Sequence, residues 1–163
     1  METASKILLL TVGGACGVNA RYWLGLAVAR WLGVRFPWAT FAINVSGSFA
    51  IGLVAAALAE RWPHPSVRIF AIAGFLGGYT TFSSYMFESF ELWERGDRPL
   101  AIGNLLGSLA AGLLAVALGL ALGRRLFEPS GRPKPDQGAK VQHRLEAIGD
   151  ALAGQESPED EAG

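Results

Sequence analysis

Long runs without charge, rather than strand-like alternation, dominate the first three quarters of the chain. Positions 36–59 hold no charged residue, and neither do positions 100–123. Each run is about 24 residues, enough for a helix to cross a hydrocarbon core of roughly 30 Å. Two spans follow directly. A third uncharged stretch, Ile69 to Phe87, is about 19 residues long, near the lower limit for a span. Its hydrophobicity is interrupted by Gly74, Gly77 and Gly78 and by the hydroxyls of Thr80, Thr81, Ser83 and Ser84, so it reads as a span with a defect. The first apolar segment runs from Ile7 to about Leu32 and contains Arg21, with Asn19 nearby and Arg30 near its end. A cleavable signal peptide is the rival reading, but the apolar character resumes after Arg21 from Tyr22 to Val28. The pattern predicts four spans.

Trp31, Trp38, Trp62 and Trp93 fall at or just outside these ends, where an indole ring sits in the headgroup zone. The connections at 33–35, 60–68 and 88–99 leave no room for an extramembrane domain before Arg124. From Arg124 onward the chain turns polar. Positions 128–137 read as a proline-rich linker, and Val141, Leu145, Ile148 and Leu152 recur at the spacing of a short amphipathic helix. The expected organisation is a four-helix transmembrane domain over 1–123 and a mostly disordered tail over 124–163. The fold class is an all-α membrane protein.

Composition agrees with this. Only 17% of the 163 residues are charged and 51% are hydrophobic, against about a quarter charged in a soluble domain. Lys and Arg number 14, as do Asp and Glu, so no basic field invites nucleic acid. Cys16 is the single cysteine, which excludes an intrachain disulfide, and His64 and His143 stand apart without metal-ligand spacing. No nucleophile, base and orienting group converge, so an enzyme is not expected. Lys6, Arg61, Arg68, Arg124 and Arg125 fall on one side of the membrane and Arg30, Arg35, Arg95 and Arg98 on the other. That bias is weak, and it leaves room for dual topology, with copies inserted both ways.

Polar residues inside spans carry the chemistry, because hydrocarbon tolerates them only against a partner or a water-filled path. Thr40, Asn44 and Ser48 lie four apart on the second span, and Asn104, Ser108 and Gly112 repeat the spacing on the fourth. Either row serves equally as interhelical glue or as pore lining. The pairs Gly13 and Gly17, Gly74 and Gly78, Gly103 and Gly107, and Gly119 and Gly123 permit close helix approach. Arg21 is a cation without a carboxylate in any uncharged core, so an anion is its natural missing partner; snorkelling to an interface is the plainer alternative. In the third span, two adjacent glycines followed by two β-branched threonines favour unwinding. Carbonyls freed there need an ion, water or another chain. Phe82 and Tyr85, three apart beyond that point, present ring edges to a small anion.

Three stretches together closely resemble the Fluc/CrcB fluoride channels. They are Gly13-Gly14-Ala15-Cys16-Gly17 leading to Arg21, the run Asn44-Val45-Ser46-Gly47-Ser48-Phe49, and Gly74-Phe75-Leu76-Gly77-Gly78 through Thr80-Thr81-Phe82-Ser83. The likeness covers about Lys6 to Gly123. It implies four helices with a broken third, an antiparallel dual-topology homodimer in the bacterial plasma membrane, and passive export of fluoride that relieves cytoplasmic fluoride toxicity. It further implies a structural sodium ion at the dimer centre on main-chain carbonyls of Gly77 and Thr80, a pore lined by Asn44 and Phe82, and Arg21 near a pore mouth. Ser83, Thr40, Ser48, Asn104 and Ser108 are the remaining candidate pore groups. Tyr85 stands where the familiar pattern has a second phenylalanine, and its extra hydroxyl is a candidate fluoride ligand or constriction. The partner copy is either identical or a diverged paralogue. Two other readings stay open: a small multidrug exporter, for which Glu88 is the available carboxylate, and a non-transporting scaffold.

Overall fold

Glycine and proline set the helix ends. A computed structural model describes residues 2–61 and 63–127; Trp62, and the linker and amphipathic helix expected within 128–163, lie outside the described residues. Helix α1 (Thr3–Leu32) stops at Gly33, whose φ of 76° only glycine adopts readily and whose N–H donates to the Ala29 carbonyl. Helix α2 (Trp38–Glu60) starts after Pro37, and Pro65 at the first position of α3 (Pro65–Val67) begins the next helical run. That run widens to π pitch over Arg68–Leu76 and returns to α pitch in α4 (Gly77–Tyr79). Helix α5 (Phe82–Glu94) follows after two extended residues, and a turn through Gly96, φ 86°, leads into α6 (Arg98–Phe127). Among the described residues there is no strand.

Helices α1, α2 and α6 are long and apolar enough to cross a membrane. The segment expected as one interrupted span comprises two helical pieces on either side of Thr80 and Thr81, and residues 88–94, read from the sequence as connection, continue α5. The unwinding also falls later than the glycines. Gly77 is helical (φ −63°, ψ −37°), whereas Thr80 (ψ 157°) and Thr81 (φ −149°, ψ 113°) are extended. β-Branching suits threonine to that conformation. The Thr81 hydroxyl also accepts the Ser84 N–H at 3.3 Å, capping α5.

The glycines serve approach rather than flexibility. A Cβ on Gly78 would lie 2.7 Å from the Gly14 carbonyl oxygen, and one on Gly13 would lie 2.7 Å from that of Phe70. Helix α1 therefore packs backbone to backbone on the π segment and α4. Gly52 on α2 and Gly119 on α6 do the same for that pair, each facing the other helix's main chain. Ala101, Asn104, Ala115, Gly119 and Gly123 form the buried face of α6, while Leu106, Leu109, Leu113 and Leu118 are exposed. Small residues inside and leucines outside is the pattern of a bundle solvated by lipid. Gly103 and Gly107 differ from the other pairs: a Cβ at either would meet no other part of the chain within 4 Å beyond its own stretch of helix.

Candidate functional site at the helix break

Asn44, two turns into α2, faces the break. Its Nδ2 donates to the Thr81 carbonyl at 2.9 Å, and its Oδ1 accepts the Thr81 N–H at 2.9 Å. This reciprocal amide pair satisfies both backbone groups of a residue that belongs to no helix. Gly47, one turn on, has no side chain where the Thr80 methyl and Tyr79 ring press against α2. Ser46 bonds the Tyr79 hydroxyl at 2.8 Å, and the Tyr79 ring stacks on Phe75 with centroids 6.0 Å apart.

Arg21 reaches the same place from α1. Its Nη1 lies 3.4 Å from the Thr80 carbonyl oxygen, a long hydrogen bond, so the side chain points at the break. The Thr80 N–H donates to the Leu76 carbonyl at 3.0 Å, as does the Thr80 hydroxyl at 2.9 Å. The next rung would bring the Thr81 N–H to the Gly77 carbonyl, but Asn44 has taken that N–H. Gly77 thus offers a carbonyl oxygen released from the ladder, and Thr80 one with a lone pair beyond the Arg21 contact. Among the described residues no group of three or more His, Cys, Asp or Glu could hold a metal. Carbonyl oxygens of this kind suit a hard monovalent cation, so Gly77 and Thr80 fit the expected donor set, although two oxygens from one chain are too few to replace a hydration shell.

The other candidates divide into two groups. Phe82 is 73% exposed, with its ring 5.8 Å from that of Tyr85, and Ser83 beside it is exposed as well. Ser83 Oγ lies 3.4 Å from Thr81 Oγ1. Ser48 faces Gly112 across α6. These groups are available at a surface or a helix seam. Tyr85 and Asn104 are committed elsewhere. The Tyr85 hydroxyl donates its hydrogen bond to the Leu105 carbonyl at 2.6 Å, and so is not a free donor to an anion. Asn104, 1% exposed, donates to Ser89 Oγ at 2.8 Å and accepts from Ser108 at 3.0 Å. Together these bonds tie α5 to α6. Thr40, 6% exposed, donates to Glu88 Oε1 at 2.7 Å, while Glu88 Oε2 is buried without a partner.

Sequence reasoning missed the roles of two residues. Ser89 donates to the Tyr85 carbonyl at 2.7 Å and receives the Asn104 amide; its spacing of four from Tyr85 on α5 was the available signal. Thr81 stands inside the quoted motif, but its role as the far half of the Asn44 pair has no sequence signature.

Comparison with known proteins follows the same stretch of chain. The family described as CrcB-like protein, Camphor Resistance (CrcB), matches residues 8–120. The Fluoride-specific ion channel FluC of Solibacter usitatus is 47% identical over 121 residues, covering 74% of this chain and 99% of the relative. The protein of the same name from Nitrobacter winogradskyi is 43% identical over 119 residues, 72% and 94% of the two chains. That from Agrobacterium fabrum is 44% identical over 123 residues, 75% and 98%. The chain belongs to the CrcB family, a family of multi-pass bacterial membrane ion channels and not of enzymes.

Proposed function

We propose that this protein is a fluoride-selective channel that lets the anion leave the cell down its gradient. The observation that carries the reading is the helix break itself. Asn44, Arg21 and the Thr80–Thr81 backbone converge there, and α5 then presents the exposed Phe82 ring and Ser83 hydroxyl at the surface. Fluoride is small and strongly hydrated, so a selective path must offer hydrogen-bond donors at close range while staying too narrow for chloride. The second N–H of Asn44, the hydroxyls of Ser83 and Ser48, and the ring edges of Phe82 are such donors. Arg21 raises the local anion concentration beside them. Tyr85, Thr40, Asn104 and Ser108 hold the helices that carry these groups.

In this reading the 65–79 run and α5 together form a fourth, interrupted span, residues 1–123 make up the channel domain, and 124–163 is a dispensable tail. The assembly is an antiparallel homodimer. Its supports are the weak charge bias, the bare Gly103 and Gly107 face of α6 and the exposed Phe82. A structural sodium ion bound by the Gly77 and Thr80 carbonyls of both copies would supply a fixed positive charge and a bridge between subunits.

The test is fluoride release from liposomes holding the purified protein, with potassium ionophore clamping the voltage and chloride followed in parallel. Fast fluoride efflux without chloride efflux is expected. A proton-coupled exporter is the second reading, favoured by the unpartnered Glu88 Oε2. It predicts efflux only with a proton gradient, whereas a scaffold predicts none under any condition.

A further inference from the structure

The reciprocal pair between Asn44 and Thr81 does more than satisfy two backbone groups. An α-helix running through this region would place the Thr81 N–H on the Gly77 carbonyl. The preceding rung is intact, Thr80 N–H to Leu76 carbonyl at 3.0 Å, so the Thr81–Gly77 rung is the first at which the ladder fails; farther on, the Ser84 N–H goes to Thr81 Oγ1 instead of a carbonyl. The Thr81 N–H has turned to Asn44 Oδ1 at 2.9 Å, and the Thr81 carbonyl is held by Asn44 Nδ2 at the same distance. With the Thr81 hydroxyl capping α5, every polar group of this residue is engaged away from Gly77.

We infer that Asn44 is a positioning residue, whose side-chain amide keeps the Gly77 carbonyl out of the helix ladder and so available as a cation ligand. The inference rests on the proposed sodium site and deepens it. A carboxamide suits the task because it offers a donor and an acceptor on one planar group. Aspartate keeps the acceptor and loses the donor, while alanine loses both. Without Asn44, the Thr81 N–H is left unpaired in a low-dielectric setting, and the acceptor within one helical rung is the Gly77 oxygen. Helix α4 then lengthens by a residue and consumes the carbonyl. Asn44 thus sets sodium affinity without touching the ion. Its remaining N–H stays free for the anion path, so the pore role and the positioning role are separable by their readouts.

The experiment is a titration of thermal unfolding of the full-length protein in detergent with sodium, with potassium as the control ion, for the wild type and Asn44→Ala. The wild type is expected to gain stability with sodium and not with potassium. Asn44→Ala is expected to need about tenfold more sodium for half the effect, the size of one polar interaction lost. An unchanged sodium midpoint in Asn44→Ala, with flux reduced, overturns the inference and leaves Asn44 as pore lining alone. A wild type indifferent to sodium overturns the sodium reading itself, and this inference with it. Should the alanine variant not fold, hydrogen exchange at the Thr81 amide of the wild type decides the matter. Protection with and without sodium is expected, because the acceptor is a side chain of the same subunit, and fast exchange in both conditions refutes the pair.

Discussion

Asn104 separates two readings of a polar residue in a membrane helix. The period-four row on α6 suits a pore wall, but the carboxamide is 1% exposed within this chain alone, donating to Ser89 and accepting from Ser108. Its burial therefore does not depend on a second copy. Replacing it by alanine removes two hydrogen bonds, each worth about 0.6–1.5 kcal/mol within a membrane protein. The lost carboxamide also leaves a space in the α5–α6 seam, which brings the expected destabilisation to about 2–4 kcal/mol. The assay is reversible unfolding in mixed micelles at one fixed protein concentration, since assembly contributes to apparent stability. A double-mutant cycle with Ser89→Ala isolates the pair, and a coupling of about 0.5–1.5 kcal/mol is expected for groups in direct contact. A stability loss below about 0.5 kcal/mol, the usual size for a surface substitution, together with a large drop in fluoride flux, would refute the assignment and return Asn104 to the pore.

Four further outcomes are expected. Tyr85→Phe removes the 2.6 Å bond to the Leu105 carbonyl and should lower stability by about 1 kcal/mol while preserving fluoride flux; abolished flux would show the hydroxyl acting on the ion. Gly17→Ala would set a methyl against the Phe75 carbonyl and the Tyr79 N–H, so unfolding should be easier by about 1–3 kcal/mol. Gly103→Ala meets nothing within 4 Å, so a loss of dimer in that variant, read by size-exclusion chromatography, locates a second copy on that face. Arg21→Gln removes a positive charge 3.4 Å from the Thr80 carbonyl. Fluoride flux at low concentration should fall while the sodium midpoint shifts to lower sodium, like charges no longer opposing each other; a sodium midpoint that does not move would place Arg21 away from the cation.

Charge-free runs located α2 and α6, and the apolar stretch on either side of Arg21 located α1, because hydrocarbon excludes unpaired charge and a helix is the form in which a lone segment satisfies its own backbone. The Gly-Gly-Tyr-Thr-Thr stretch likewise marked a defect within three residues of where it lies. The sequence did not say which of those residues unwind. Glycine permits both close packing and extended backbone; here Gly13, Gly14 and Gly17 of α1 pack closely on the backbone of Phe70, Gly74, Phe75, Gly78 and Tyr79, and Gly77 and Gly78 are helical.

The roles of the polar rows belong to tertiary structure for a related reason. Period four states that Thr40, Asn44 and Ser48 share a face, and that Asn104 and Ser108 do; it does not state what that face meets. Helix rotation and pairing decided that Asn44 finds the Thr81 backbone, that the Tyr85 hydroxyl donates to the Leu105 carbonyl, and that Asn104 of α6 is sealed against α5. Membrane insertion is fixed by the sum of transfer energies along a segment, which a sequence contains. The partner of each hydrogen bond depends on contacts between residues 15 to 59 positions apart, which arise only when the helices have packed.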